Sequence, residues 1–142
     1  MLNTSFASAR HHGRAIQNQP AVLIIENDGL TGNVLQYLVE QCAPQIQTFS
    51  AQCLRDAIGL IESVRFSLVI ADLGLPDSRG LNTAAEIRLR TNTPILLYSA
   101  ALNDPHLVNE ATEAGFFYCL AKGGSTRQQV GATIRQLLAE QH

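Results

Sequence analysis

The sequence predicts an α/β domain built on a parallel sheet, and three observations carry that reading. Short apolar runs alternate along the chain with stretches whose apolar residues recur at helical spacing, the pattern of successive β-α-β units. The runs are almost continuously apolar, as expected of strands covered on both faces. Three of them stop at a reactive side chain: residues 68–71 at Asp72, residues 94–98 at Ser99, and residues 116–121 at Lys122. Open α/β sheets gather their chemistry beyond the carboxyl ends of their strands. A carboxylate, a hydroxyl and an ammonium at three such ends form a coherent set for handling a phosphoryl group.

The elements follow in order. Residues 21–26 are a first apolar run, and Leu30, Val34, Leu35 and Leu38 then recur at helical spacing. Residues 46–49 are a short β-like stretch. Ser50 is placed to cap a helix carrying Leu54, Ala57, Ile58 and Ile61 on one face. Residues 68–71 are the third strand, and a helix with Ala84, Ala85 and Ile87 follows Gly80. Residues 94–98 are the fourth strand. Asp104 and Pro105 read as an N-cap and first-turn proline of a helix ending near Gly115. Residues 116–121 are the fifth strand. Thr126 and Gln129 have capping-box spacing ahead of a stripe of Val130, Ile134, Leu137 and Leu138. Five strands alternating with five helices require right-handed parallel crossovers.

Bulk properties narrow the function. The chain has 142 residues, one ordinary domain, with 46% hydrophobic and 15% charged residues, so it can bury a core. A net charge of −2 advertises no face for nucleic acid, and no apolar run approaches a membrane span. Cys42, Cys53 and Cys119 are odd in number and lack metal-ligand spacing, which suits a reducing cytoplasm. Residues 1–19 read as a disordered or loosely ordered arm and residues 20–142 as the domain. The arm has no acidic residue but lacks the amphipathic pattern of a transit peptide, and the adjacent His11 and His12 make a poor metal site alone. The chain ends just after the fifth helix, so no output domain is expected to follow it. Lys122 is the only lysine in a chain that otherwise uses arginine.

Four motifs in order carry a resemblance: Ile24-Ile25-Glu26-Asn27-Asp28, the 72–80 segment Asp-Leu-Gly-Leu-Pro-Asp-Ser-Arg-Gly, Leu96-Leu97-Tyr98-Ser99-Ala100, and Ala114-Gly115 followed seven residues later by Lys122. Over about residues 20–140 the chain resembles the receiver domain of two-component response regulators. The resemblance implies a doubly wound, flavodoxin-like sheet of order 2-1-3-4-5 flanked by five helices. It implies Asp72 as phosphoacceptor, Ser99 as the hydroxyl that bonds the phosphoryl oxygen, and Lys122 as the ammonium that pairs first with Asp72 and then with the phosphoryl group. Mg²⁺ would be held by Glu26, Asn27, Asp72 and the backbone carbonyl of Gly74. Asp28 would either assist or cap the following helix.

The chain departs from that family at three places. Glu26 and Asn27 stand where the family has two acidic residues, so Mg²⁺ binding is expected to be weak. Gly123 follows Lys122 where the family has proline. Cys119 occupies the switch aromatic's position, and strand alternation points Tyr118 to the opposite face. The expected function is a single-domain, cytoplasmic response regulator. It would take a phosphoryl group from a histidine kinase or histidine phosphotransfer protein and signal by binding another protein, with homodimerisation left open. Its own chemistry would be at most self-phosphorylation from a phosphodonor and autodephosphorylation. Two alternatives stand beside it. One is a degenerate pseudo-receiver that binds partners without phosphorylation. The other is an unrelated flavodoxin-like ligand binder, which the single glycine near the end of the first strand disfavours.

Overall fold

A computed structural model describes residues 20–140. The arm expected over residues 1–19, with His11 and His12, lies outside the described residues. The elements are β1 (Ala21–Ile25), α1 (Gly29–Cys42), β2 (Gln47–Ala51), α2 (Leu54–Ser63), β3 (Leu68–Ala71), β4 (Gly74–Leu75), β5 (Ser78–Arg79), α3 (Leu81–Arg88), β6 (Ile95–Ser99), a 3₁₀ turn (Ala100–Asn103), α4 (Pro105–Glu113), β7 (Tyr118–Ala121) and α5 (Arg127–Ala139). Five parallel strands pair in the order β2-β1-β3-β6-β7, which is 2-1-3-4-5 counted within that sheet. Among the described residues the expected doubly wound sheet, flanked by five helices, is therefore present.

The sheet separates two cores, and the period of two along each strand decides which residue enters which. Ala21, Leu23 and Ile25 of β1 face a core closed by Leu54 and Ala57 of α2, Ala84 and Ile87 of α3, and Ala111 of α4. Val22 and Ile24 face the other, closed by Leu35 and Val39 of α1 and by Val130, Ile134 and Leu137 of α5. Every residue of β1 and β3 is buried, which is why these strands read as unbroken apolar runs. The same alternation puts Cys119 against the first core and Tyr118 against the second.

The local caps form as the sequence requires. The Asp28 carboxylate accepts from the backbone N–H and the hydroxyl of Thr31 and caps α1. Asp104 accepts from the N–H of His106 at 2.9 Å, with Pro105 in the first turn of α4. Thr126 and Gln129 form the reciprocal capping box of α5, at 3.1 and 2.7 Å.

Two local readings are corrected. Ser50 caps nothing: it lies inside β2, in register with Ile24, because the strand runs on to Ala51. Cys53 occupies the N-cap position of α2 and makes no side-chain cap. The cap comes from Asp77, whose carboxylate accepts from the N–H groups of Leu54 at 2.8 Å and Arg55 at 3.0 Å. The fifth strand starts at Tyr118, not 116, because the N–H of Phe116 returns to the carbonyl of Ala111 at 2.8 Å to close α4 over Gly115 at φ 98°. The turn after Asp72 is an antiparallel ribbon pairing Gly74 with Arg79 and Leu75 with Ser78. It ends at Gly80, whose φ of 68° favours glycine ahead of α3.

Asp77 therefore ties the ribbon beyond β3 to the start of α2. The two N–H groups it accepts hold its carboxyl below the ordinary 3.8. A group whose folded value is depressed stabilises above its unfolded value, and that stability is lost as pH falls through the folded one. Asp77→Ala is expected to lower Tm by a few degrees at neutral pH, with the gap to the parent closing in strong acid. Thermal unfolding at neutral pH and well below the ordinary carboxylate range checks this. An equal gap at both pH values would contradict the charge-assisted cap.

Candidate functional site

Four strand ends converge on one edge of the sheet, and backbone hydrogen bonds just past the ladders fix where their side chains start. The N–H of Glu26 donates to the Ala51 carbonyl at 2.9 Å, that of Asp72 to the Ile25 carbonyl at 3.0 Å, and that of Lys122 to the Ser99 carbonyl at 3.2 Å. The strand register thus carries Glu26, Asp72, Ser99 and Lys122 to one place. Glu26, Asp72 and Ser99 are buried.

Lys122 holds the site together. Its Nζ lies 2.8 Å from Glu26 Oε1 and 2.8 Å from Asp72 Oδ2. Glu26 Oε1 is fully buried, and this ammonium is its counter-group among the described residues. Glu26 Oε2 accepts from the N–H of Asp28 at 3.1 Å. Asp72 Oδ1 accepts from the N–H of Gly74 at 3.2 Å. Ser99 Oγ accepts from the N–H of Ala101 at 3.3 Å.

Two carboxylates around one ammonium leave an excess of negative charge, and the two acids respond differently. Burial pushes the Asp72 carboxyl up, but the Lys122 ammonium, the Ser99 hydroxyl and the Gly74 N–H together hold it below its ordinary range. For Glu26 burial wins, and its carboxyl sits above its ordinary range despite Lys122. Burial opposes the charge on Lys122, yet its bonds to both carboxylates raise it overall. At neutral pH the arrangement is an ionised Asp72 in contact with a firmly protonated lysine.

Beside Asp72 is an open hollow of roughly 310 Å³, lined among others by Gly74, Arg79, Ser99, Ala101 and Lys122. A buried carboxylate, a hydroxyl and two cationic residues at an open hollow suit an anion of phosphoryl size.

Of the residues expected at the site, Glu26, Asp72, Ser99 and Lys122 come together, and Gly74 borders the same hollow. Asn27 is exposed beside them. Of the two roles open to Asp28, its side chain performs the cap, while its N–H supports Glu26. Gly123 takes φ 80°, a conformation that favours glycine. Burial pushes the Cys119 thiol up, which suits packing and not nucleophilic chemistry.

Sequence reasoning missed three residues. Asn103 donates from Nδ2 to the carbonyls of Ala100 and Lys122, both at 3.0 Å, and so pins the loop that carries the ammonium. Asp77 and Arg79 sit on a ribbon that was not anticipated. No local signal marks Asn103, because one of its partners is 19 residues away.

The resemblance to receiver domains implies Mg²⁺ at these strand ends. Asp72, Glu26, the Asn27 amide and the Gly74 carbonyl are all hard oxygen donors, the kind that ion prefers. They fit a hard divalent cation in kind. Only two are charged, and both oxygens of Glu26 are already engaged by Lys122 and Asp28. Among the described residues no helix is long and apolar enough to cross a membrane.

Comparison with known proteins agrees with this architecture. The family model for the response regulator receiver domain matches residues 22–134. No curated protein matches the chain. Among solved structures, a two-component response regulator from Clostridium difficile is 24% identical with a TM-score of 0.76, covering 87% of this chain and 99% of that one. The signal receiver domain of an HD domain-containing protein from Pseudomonas fluorescens Pf-5 is 25% identical, with a TM-score of 0.74 and coverage of 87% and 90%. The non-phosphorylated HemR receiver domain from Leptospira biflexa is 23% identical, with a TM-score of 0.72 and coverage of 85% and 95%. With a family model spanning most of its length and strand ends that gather Asp72, Ser99 and Lys122, this chain belongs to the receiver domains of two-component response regulators.

Proposed function

We propose that Asp72 accepts a phosphoryl group from a histidine kinase or histidine phosphotransfer protein, and that the phosphorylated domain signals by binding another protein. The observation that carries this reading is the pairing of an ionised, buried Asp72 with Lys122 at 2.8 Å beside an open hollow. A carboxylate oxygen of Asp72 forms the new bond to phosphorus while the P–N bond to the donor imidazole breaks. The electron pair leaves with that nitrogen, which takes up a proton. Lys122 then shifts its contact from the carboxylate to the phosphoryl oxygens, and the Ser99 hydroxyl donates to one of them. Mg²⁺, when bound, would add neutralising charge on the same oxygens. Glu26, Asn27, Asp72 and the Gly74 carbonyl are the groups that would hold it. The three free thiols of Cys42, Cys53 and Cys119 suit a reducing, cytoplasmic setting. The test is treatment with acetyl phosphate and Mg²⁺, then intact mass and site mapping. One added phosphoryl group on Asp72 is expected, and modification elsewhere would overturn the assignment.

One observation favours a second reading, a pseudo-receiver that binds partners without phosphorylation. Asn27 is neutral, and Glu26 is tied up by Lys122 and Asp28, so the charge available to a cation is low. Asn27→Asp adds one carboxylate at an exposed position. It is expected to tighten Mg²⁺ binding up to roughly tenfold, the worth of one more charge at contact distance in water. It should also lower the stability of the metal-free protein by repulsion around Asp72. The chain has no tryptophan, so titration calorimetry and thermal unfolding are the measurements. Unchanged Mg²⁺ affinity would mean that charge at position 27 does not limit the site.

A further inference from the structure

We propose that Arg79 is a second cationic contact for the phosphoryl group, besides Lys122, that sets how fast the group is captured. The inference rests on the reading of Asp72 as phosphoacceptor and adds a residue to it. Arg79 lies directly across the β4–β5 ribbon from Gly74, two residues beyond Asp72. Opposite residues of an antiparallel pair project to the same face. Gly74 has no side chain, and a Cβ built there meets nothing within 4 Å. The space above the ribbon is therefore left to Arg79, which lines the hollow with Asp72, Ser99 and Lys122.

Its charge is also uncommitted. The ion pairs among the described residues are Arg55–Asp56, Arg90–Glu86, Lys122–Glu26 and Lys122–Asp72, and none involves Arg79. Lys122, by contrast, is shared between two carboxylates. An arriving phosphoryl group adds negative charge to a hollow that already has an excess of it, and Asn27 leaves metal binding short of one carboxylate. A free guanidinium at the rim relieves that excess. Its planar fork matches two phosphoryl oxygens, which a second lysine would not.

The ribbon that presents Arg79 is held by Asp77 on α2 and ends at Gly80. Arg79 itself is exposed, so its replacement leaves both cores untouched.

The experiment compares parent, Arg79→Gln and Arg79→Lys by the time course of adduct formation with acetyl phosphate and Mg²⁺, read by intact mass at low and high ionic strength. Thermal unfolding runs alongside. Arg79→Gln is expected to slow capture roughly tenfold at low salt, the effect of about one screened charge contact, with Tm unchanged. Arg79→Lys should recover part of the rate. The parent rate should fall with salt more steeply than that of Arg79→Gln, a difference that a merely structural role would not produce. If parent and Arg79→Gln react at the same rate with the same salt dependence, the role of Arg79 is overturned while Asp72 stands as phosphoacceptor. If the parent gains no phosphoryl group on Asp72, both readings fall together.

Discussion

Asp72→Asn is expected to gain no stable phosphoryl group where the parent chain gains one. The amide is nearly the same shape and can still accept from the Gly74 N–H, so the loop should keep its course. What disappears is the nucleophile, and losing it alone costs a thousandfold or more, to order of magnitude. Neighbouring carboxylates are poorly placed to replace it. Glu26 has one oxygen on Lys122 and the other on the Asp28 N–H, and burial raises its carboxyl. Asp28 holds the first turn of α1 through Thr31. Glu26→Gln and Asp28→Ala should therefore still be modified at Asp72. Intact mass and peptide mapping of the three variants separate the cases, and an adduct that survives Asp72→Asn at full yield would remove Asp72 from the mechanism.

Lys122→Met is expected to cost about 3 kcal/mol of stability at neutral pH, the lower end of what breaking a buried ion pair costs. The lower side applies because 22% of the lysine side chain is open to solvent, against 3% and 10% for its partners Glu26 and Asp72. Methionine preserves most of the packing of the stem, so the loss reports the charge. The pH dependence carries the sharper signature. Lys122 is raised above its ordinary 10.5, so the stability it contributes is complete below that value and lost as pH rises through the folded one. Asp72 is depressed below its ordinary 3.8, so its contribution is present above 3.8 and lost as pH falls through the folded value. Glu26 works the other way: its raised value means that ionising it costs stability as pH climbs above 4.5. Without the ammonium, Glu26 should rise further and Asp72 should lose its depression. The variant should therefore be weakest at neutral pH and approach the parent on acidification, as Glu26 takes up a proton. Denaturant titrations across mildly acidic to neutral pH test this. Parallel stability curves for parent and variant would show that Lys122 does not hold the two carboxylates.

Much of the fold was legible because its signals are local. Helical periodicity, continuous apolar strands, and the caps at Asp104 and Thr126 each involve residues within a few positions of one another. The same holds for the reactive residues, since an apolar run that stops at Asp72, Ser99 or Lys122 is visible in one dimension. The family resemblance added the sheet order, which periodicity alone does not give.

The tertiary structure decided whatever depends on partners far along the chain. Ser50 looks like a cap in sequence, but its pairing with Ile24 in the sheet takes precedence, and Asp77 caps α2 from 23 residues beyond Leu54. Phe116 has the composition of a strand, yet a hydrogen bond to Ala111 holds it in the closing turn of α4. Lys122 meets Asp72 across 50 residues, and only the parallel register brings Glu26 to the same ammonium. Arg79 lines the hollow because the ribbon pairs it with Gly74, two residues beyond Asp72. By itself the sequence determined which polar side chains end the strands and which elements carry them. Their shared charge balance was decided by the sheet, because electrostatic coupling depends on distances of a few ångströms in space and not on separation along the chain.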